Sequence, residues 1–262
     1  MIDKKEFLLH SIIKAYIENL EPIGSSQLKS MYDISYSSAT IRGYFKKLGD
    51  EGFLAQEHIS SGRTPTNEAL KQYWTTKLNF PLKNVNKRAL EILSSEIGLS
   101  VFVKKEQDNI LKNILLVDEK YLILEFLDIA VTIKYSDVLY RFLKDFINFS
   151  IKDILKISKD VGAFELYNSI NNKISNRDFE IFNSKEFLAL ALNYDLDEFT
   201  INSFLKGDFL DKLDEGIYFD GFLPQNYIAI CHICKMEDED VKILTLGELS
   251  KDYEYFFNQI KI

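Results

Sequence analysis

Glycine, proline and cysteine are scarce in this 262-residue chain, which contains 11 Gly, 4 Pro and 2 Cys. Two cysteines cannot form a disulfide scaffold in a chain of this length, which fits a reducing compartment. The chain has no run of about 18 apolar residues, so no transmembrane helix is predicted. Its first 20 residues carry charges throughout and lack the apolar block and cleavage site of a signal peptide. We therefore expect a cytoplasmic protein that does not enter a membrane.

The motifs that identify common enzyme active sites are also missing. The chain has no Walker-type loop, no G-x-G-x-x-G, no G-x-S-x-G and no H-E-x-x-H. Carboxylates are plentiful, so a close pair of them would arise by chance and would not indicate hydrolysis. We predict no enzymatic activity, no cofactor and no metal site.

Positive charge is in deficit, and the deficit is uneven along the chain. The net charge is −8, yet residues 1–80 hold ten Lys/Arg against nine Asp/Glu, and the remaining residues hold 22 against 31. This distribution argues against non-specific binding of polyanions, but it permits recognition of nucleic acid by a few placed cations in the first 80 residues.

The first 81 residues, which we call the head, predict a winged helix-turn-helix domain. Pro22 and Gly24 end the first helix, Ser25 caps the second with Met31 facing inward, and Ser37 caps the third. Thr64 is expected to cap the helix that begins at Pro65. The predicted elements, in order, are a helix at 4–20, a short helix at 26–31, a helix at 37–47, a strand at 53–58, a polar loop at 59–64 and a helix from Pro65 to about residue 80. In this arrangement the third helix enters the DNA major groove, and Arg63 lies at the tip of the wing.

The third helix has two different faces. Its apolar face comprises Ile41, Phe45 and Leu48. The opposite face comprises Ala39, Arg42, Gly43, Lys46 and Lys47. A glycine inside a helix costs about 1 kcal/mol relative to alanine, a cost that is tolerated where a large partner approaches the backbone. Cations around small residues suit a major groove, although a solvated surface helix with three basic residues is the alternative.

Residues 86–262, which we call the body, predict an α+β domain with an antiparallel sheet. Three short apolar runs predict strands at 114–117, 121–127 and 130–135, and two more predict a hairpin at 227–235 and 241–246. Helices are predicted at 87–99, after Ser136, at 151–157 and at 252–260, whereas residues 158–215 show no clear pattern. The helix after Ser136 is expected to bury one apolar face, which includes Val138 and Leu143.

Two groups of residues resemble functional sites but have structural alternatives. Cys231 and Cys234 form the only C-x-x-C pair, yet side chains three residues apart in a strand point to opposite faces, which favours buried cysteines over a metal or redox site. His58, at the end of the wing strand, has the alternatives of binding a phosphate or stabilising the wing backbone, and we favour the second.

The segment 21–66, EPIGSSQLKSMYDISYSSATIRGYFKKLGDEGFLAQEHISSGRTPT, resembles the N-terminal domain of HrcA, the heat-inducible transcription repressor family of bacteria. The most specific matches are SSATIR at 37–42, GFL at 52–54, His58 and the S-G-R-x-P wing at 61–65. More weakly, 149–157, Gly247 and the Asp-Tyr pair at 252–253 resemble segments of the family's C-terminal part.

The resemblance implies that a dimer binds an inverted-repeat operator of double-stranded DNA upstream of chaperone genes. It implies a GAF-like body, interrupted by an inserted dimerisation segment that we expect at about 158–215 and in reduced form. It also implies that the chaperonin GroEL keeps the repressor active. Gly43 and Tyr44 stand where members commonly have Asn and Asp, which leaves the preferred operator open.

The candidate DNA-binding residues lie at the helix-turn-helix and in the wing. They are Ser25, Ser26, Ser37, Ser38, Thr40, Arg42, Gly43, Tyr44, Lys46, Lys47, His58, Ser60, Ser61 and Arg63. We expect Arg42 to contact a base and the lysines and hydroxyls to contact phosphates. The alternative is that the winged helix is a protein-interaction module and the body is a sensor or scaffold.

Overall fold

The computed structural model describes residues 3–56, 58, 61–105, 109–127, 129–174 and 179–262. The head contains α1 Lys4–Asn19, α2 Ser25–Met31, α3 Ser38–Asp50, β1 Leu54–Ala55, β2 Thr64–Pro65 and α4 Asn67–Lys77. Strands β1 and β2 pair antiparallel, with Leu54 opposite Pro65. The apolar faces of the helices bury Leu8, Ile12, Leu28, Ile41 and Leu48 completely.

The ends of several head elements differ from the sequence prediction. Gly24, rather than Ser25, occupies the N-cap of α2, and Met31 is exposed rather than inward. The wing strand is limited to two residues. Thr64 pairs with Ala55 and is therefore unavailable as a helix cap, so Thr66 takes that role, and its hydroxyl accepts a bond from the amide of Ala69.

The rest of the chain contains both strands and helices. The elements are β3 Asn84–Val85, α5 Lys87–Ile97, β4 Ser100–Lys105, β5 Leu111–Val117, β6 Tyr121–Phe126, β7 Ala130–Lys134, α6 Asp137–Lys144, α7 Ile151–Asp160, α8 Phe164–Ile174, β8 Phe179–Phe182, α9 Ser184–Asn193, α10 Glu198–Lys206, a 3₁₀ turn Leu210–Lys212, β9 Gly216–Tyr218, β10 Tyr227–Met236, β11 Glu239–Glu248 and α11 Tyr253–Ile260. The body is thus of the mixed α+β type, as predicted.

The central sheet of the body has the strand order β3-β10-β11-β4-β8, with β9 also paired to β10. The predicted hairpin is confirmed as β10 and β11, which pair antiparallel from Tyr227–Glu248 to Met236–Glu239. Strand β4 was not predicted, yet it lies between β11 and β8. Strand β3 runs parallel to β10, so the sheet is mixed rather than purely antiparallel.

The three strands β5–β7, predicted correctly as strands, form a separate antiparallel sheet. This sheet packs against α6–α8 around its own core, which includes Leu122, Leu124, Leu143, Ile154 and Ile170. The segment 109–174 is thus an insertion between β4 and β8, because those two strands pair directly with each other. The expected insertion at 158–215 divides between this core and the central sheet, where Phe187 and Phe204 pack.

The turn between β10 and β11 gives a prediction about stability. Glu237 and Asp238 have φ values of 53° and 67°, a left-handed geometry that two-residue hairpins favour and that Asn-Gly adopts best. We expect replacement of this pair by Asn-Gly to raise the free energy of unfolding by about 1 kcal/mol in urea denaturation. Asp240→Gly, two residues further along in β11, should instead lower it by about 0.5–1 kcal/mol. Equal effects of the two changes would contradict this account.

Candidate nucleic-acid interface

The start of α3 is held by a hydroxyl cap. The Ser37 Oγ accepts a hydrogen bond from the Thr40 amide at 3.1 Å and lies 2.9 Å from the Thr40 Oγ1. The Ser26 Oγ donates to the Ser38 Oγ at 3.3 Å, which connects the exposed side of α2 to the first turn of α3. Ser26, Ser37, Ser38 and Thr40 therefore lie together where the two helices approach each other. These are four of the Ser and Thr residues that the sequence proposed, and Ser25 is the first residue of α2, directly before Ser26.

The solvent-facing side of α3 carries the predicted cations. Arg42, Lys46 and Lys47 are exposed, and within the described residues no carboxylate forms an ion pair with any of them. The Arg42 Nε donates to the Ser38 carbonyl at 3.3 Å, and the Arg42 side chain is exposed. The Lys47 Nζ lies 5.6 Å from the centre of the half-buried Tyr44 ring. This face is therefore positive, and no carboxylate in the described part of the chain pairs with its cations.

Gly43 leaves an open place in the middle of that cationic face. It is exposed, and a Cβ built on it would have no atom within 4 Å. Packing inside the protein therefore does not require glycine at this position. The conformation does not require it either, since Gly43 lies within the regular helix α3.

The wing side of the surface differs from the sequence prediction. Arg63 lies at the base of the wing rather than at its tip, because its backbone exchanges two 2.9 Å hydrogen bonds with Ile23. Its guanidinium lies about 4.0 Å from the place that a Cβ on Gly49 would occupy, close to the C-terminal end of α3. A cation there interacts favourably with the negative end of the helix dipole.

Gly62 allows the wing to approach the chain between α1 and α2. A Cβ at Gly62 would lie 2.6 Å from backbone atoms of Pro22 and Ile23, a distance at which the backbone has to move. His58 is exposed, and its backbone and the Ser61 hydroxyl bond to each other in both directions. These bonds connect His58 to Ser61 within the wing, whereas Ser60 lies outside the described residues.

One cation near this surface was not predicted. The Lys4 Nζ, at the start of α1, lies 5.5 Å from the ring centre of Tyr36, which directly precedes the cap of α3. The two residues are 32 positions apart, so no local pattern in the sequence connects them. Lys4 extends the cationic face toward the N-terminal end of α3.

The C-x-x-C pair is structural in the folded chain. Cys231 and Cys234 are buried and form no disulfide with each other, and they belong to different cores on the two faces of the central sheet. Burial raises the pKa of the Cys234 thiol to about 12. No group of three His, Cys, Asp or Glu side chains among the described residues is arranged to hold a metal ion.

His10 and His232 also lie in packed positions. His10 contacts Tyr73 edge-to-face at 5.3 Å, and partial burial lowers the pKa of its imidazole. His232 stacks on Phe80 at 5.7 Å, with its Nδ1 3.6 Å from a Glu215 carboxylate oxygen, and burial outweighs that carboxylate and lowers the pKa of His232. Across the described part of the chain, no helix has the length and apolarity needed to cross a membrane.

Comparisons with known proteins agree on one family. A family model described as the HrcA C-terminal domain matches residues 74–262. Proteins named heat-inducible transcription repressor HrcA from two strains of Helicobacter pylori, J99 and 26695, are 30% and 32% identical over 263 residues, covering 99% of this chain and 95% of theirs. These relatives are named as repressors and not as enzymes.

One solved structure supports the overall fold. A crystal structure described only as a hypothetical protein covers 98% of this chain and 97% of its own, with 20% sequence identity and a TM-score of 0.55. That similarity concerns the fold alone. The family model and the full-length relatives together show that this chain belongs to the HrcA family of heat-inducible transcription repressors.

Proposed function

We propose that this chain is a dimeric repressor of chaperone genes that binds an inverted-repeat operator through a winged helix-turn-helix domain at residues 1–81. It acts in the cytoplasm without enzymatic activity or a cofactor. Two heads, carried by GAF-like bodies at 86–262, place α3 in successive major grooves on one side of the DNA. Repression is steric, because the bound dimer covers the promoter.

The observation that carries this proposal is the outward face of α3. Its three cations are exposed and unpaired within the described residues, and they surround Ala39 and Gly43, neither of which has a bulky side chain. A solvated helix gains nothing from glycine at an open position, whereas a helix that lies close to DNA gains room for its backbone. Arg42 is the proposed partner of a guanine, and Lys46 and Lys47 are proposed to hold phosphates.

The flanking groups support the placement of α3 on DNA. Exposed or half-buried hydroxyls of Ser26, Ser38 and Thr40 surround the N-terminal end of the helix, where amides and dipole favour a phosphate. Ser25, Ser37, Ser61 and Arg63 are assigned to the surrounding backbone contacts, together with the turn at His58. Tyr44, beside Lys47, completes the proposed surface.

The inserted segment supports a dimer. Val138, Val161 and Phe164 are 79%, 59% and 60% exposed in α6 and near the junction of α7 and α8. The sequence predicted Val138 on the buried face of its helix, but α6 uses Leu143 for its own core. Exposed apolar groups of this size favour burial against another protein surface. We assign this surface to the second copy of the chain.

The chaperonin GroEL completes the proposed regulation. The relatives are named heat-inducible, and the family resemblance implies that free GroEL maintains the active repressor. When heat unfolds other proteins, those proteins occupy GroEL. The repressor then loses the support of free GroEL and dissociates from the operator. The alternative, a protein-interaction module, is favoured by one observation, the net charge of −8.

The first test is direct operator binding. Fluorescence anisotropy would compare a labelled inverted repeat from a chaperone promoter with a scrambled duplex at fixed salt, with and without GroEL. We expect at least tenfold tighter binding to the inverted repeat and a larger active fraction with GroEL. If the protein binds the inverted repeat selectively and GroEL does not change that binding, the proposed role of the chaperonin is wrong. Equal, weak binding to both duplexes would favour the interaction module.

The second test separates base recognition from phosphate contact. Arg42→Ala should weaken operator binding by about 1–3 kcal/mol and random-DNA binding by much less. Lys46→Ala should weaken both duplexes equally and reduce the slope of log affinity against log salt by about 1. Lys185→Ala removes an exposed cation from α9 in the body and controls for the change in net charge. It should change neither the affinity for the two duplexes nor the salt dependence. Identical profiles for the Arg42 and Lys46 variants would contradict the assigned roles.

The third test concerns the open glycine of α3. Gly43→Ala should raise the free energy of unfolding by about 1 kcal/mol, since Ala is the better helix former. It should also lower operator affinity several-fold, because a methyl group would stand between the backbone and the DNA. Gly62→Ala is the contrasting variant: it should lower stability, because its Cβ would meet the backbone at 2.6 Å. If Gly43→Ala binds the operator with wild-type affinity, DNA does not approach the α3 backbone closely at this position.

A further inference from the structure

The last helix of the head, α4, is shared between the head and the body. On the head side, Tyr73 packs edge-to-face on His10 of α1 at 5.3 Å, and the Thr66 amide at its start donates to the Phe53 carbonyl at 3.0 Å. On the body side, the same helix contacts three separate segments. One apolar core runs without interruption from the head, through α4, into the central sheet and α11.

Trp74 forms the most buried of these contacts. Its side chain is 1% exposed, and its indole Nε1 donates to the Leu249 carbonyl at 2.8 Å. The ring also meets Tyr253 edge-to-face at 5.2 Å, and Tyr253 is itself fully buried. A buried indole N–H needs its partner, so rotation of α4 on the body would break both the packing and the hydrogen bond.

Lys71 makes a second contact, one turn before Trp74 in α4. Its Nζ lies 2.6 Å and 2.8 Å from the two carboxylate oxygens of Asp220, in the connection between β9 and β10. The Lys71 side chain is only 16% exposed, so this ion pair is partly shielded from water. The Glu254 carboxylate provides a third contact, 3.4 Å from the Tyr73 hydroxyl and 3.9 Å from the Lys77 Nζ.

These contacts restrain the direction of the head as well as its distance from the body. Asp220, Leu249 and Glu254 belong to three different segments: the β9–β10 connection, the chain after β11, and α11. Attachment at three segments opposes rotation about any one of them. A flexible linker between head and body would instead allow the recognition helix to point in many directions.

We infer that Trp74 and Lys71 are positioning residues that fix the orientation of the DNA-binding head on the body and thereby set the half-site spacing that the dimer accepts. This inference rests on the proposed function. Half-sites about 34 Å apart lie on the same side of B-DNA, and each added base pair rotates one half-site by about 34°. Two rigidly held heads can bind half-sites at only one spacing, whereas two loosely held heads can bind half-sites at several spacings.

The experiment measures spacing preference with the full chain. The probes are labelled duplexes in which the inverted repeat from a chaperone promoter has its natural spacing, or one or two base pairs inserted at its centre, and a duplex with a single half-site. The variants are Trp74→Phe, which keeps an aromatic ring but removes the indole donor, Lys71→Gln, which removes the charge, and the two combined. Lys71→Arg retains the ion pair and serves as the matched control.

For the wild type and Lys71→Arg, we expect two inserted base pairs to lower affinity at least tenfold. For the combined variant we expect a loss below threefold, with intermediate losses for the single variants. Binding to the single half-site should be unchanged, because the head itself is intact. This readout separates orientation from stability, since a variant that merely unfolds more readily would weaken binding to every duplex alike.

Trp74 supplies an independent check, because it is the only tryptophan in the chain. Its emission should stay at the short wavelength of a buried indole when the wild type binds the inverted repeat. A red shift on binding would show that the junction opens and would overturn the inference.

If two inserted base pairs still lower the affinity of the combined variant tenfold, the inference is overturned. The proposed operator binding would not be affected by that result. If the wild type binds neither the half-site nor the inverted repeat, the proposed function fails, and the inference fails with it.

Discussion

The structure depends on the burial of α4 between two parts of the chain. Trp74 is 1% exposed, so its indole N–H is removed from solvent and depends on the Leu249 carbonyl as its hydrogen-bond acceptor. The same helix closes the core of the head through Ala69 and Tyr73. The head and the central sheet consequently share a single apolar core, so packing does not separate the head from the body.

The inserted segment 109–174, unlike α4, does not share its core with the rest of the chain. Its sheet and helices bury their apolar side chains in their own core, and the flanking strands β4 and β8 pair as they would without it. An insertion at neighbouring strand ends leaves the hydrogen bonds of the central sheet unbroken. It carries exposed apolar side chains, including Val138 and Phe164, without disturbing the core that the head shares with the central sheet.

Local chemistry accounts for the parts of the fold and of the candidate site that could be predicted. Ser37 as the cap of α3, the burial of Ile41 and Phe45, and the hairpin around Glu237 each depend on residues within a few positions of one another. The two faces of α3 follow from helical periodicity alone. The opposite orientation of Cys231 and Cys234 likewise follows from the alternation of side chains along a strand.

The sequence by itself determined which residues form helices and strands over most of the chain and which face of α3 carries the cations. Only the tertiary structure decided that Arg63 lies at the base of the wing, that residues 109–174 form the insertion, and that Trp74 joins the head to the body. The physical reason is distance along the chain. Periodicity and capping act within one or two turns, whereas the bond from Trp74 to Leu249 and the pairing of β4 with β8 connect residues about 80 to 175 positions apart.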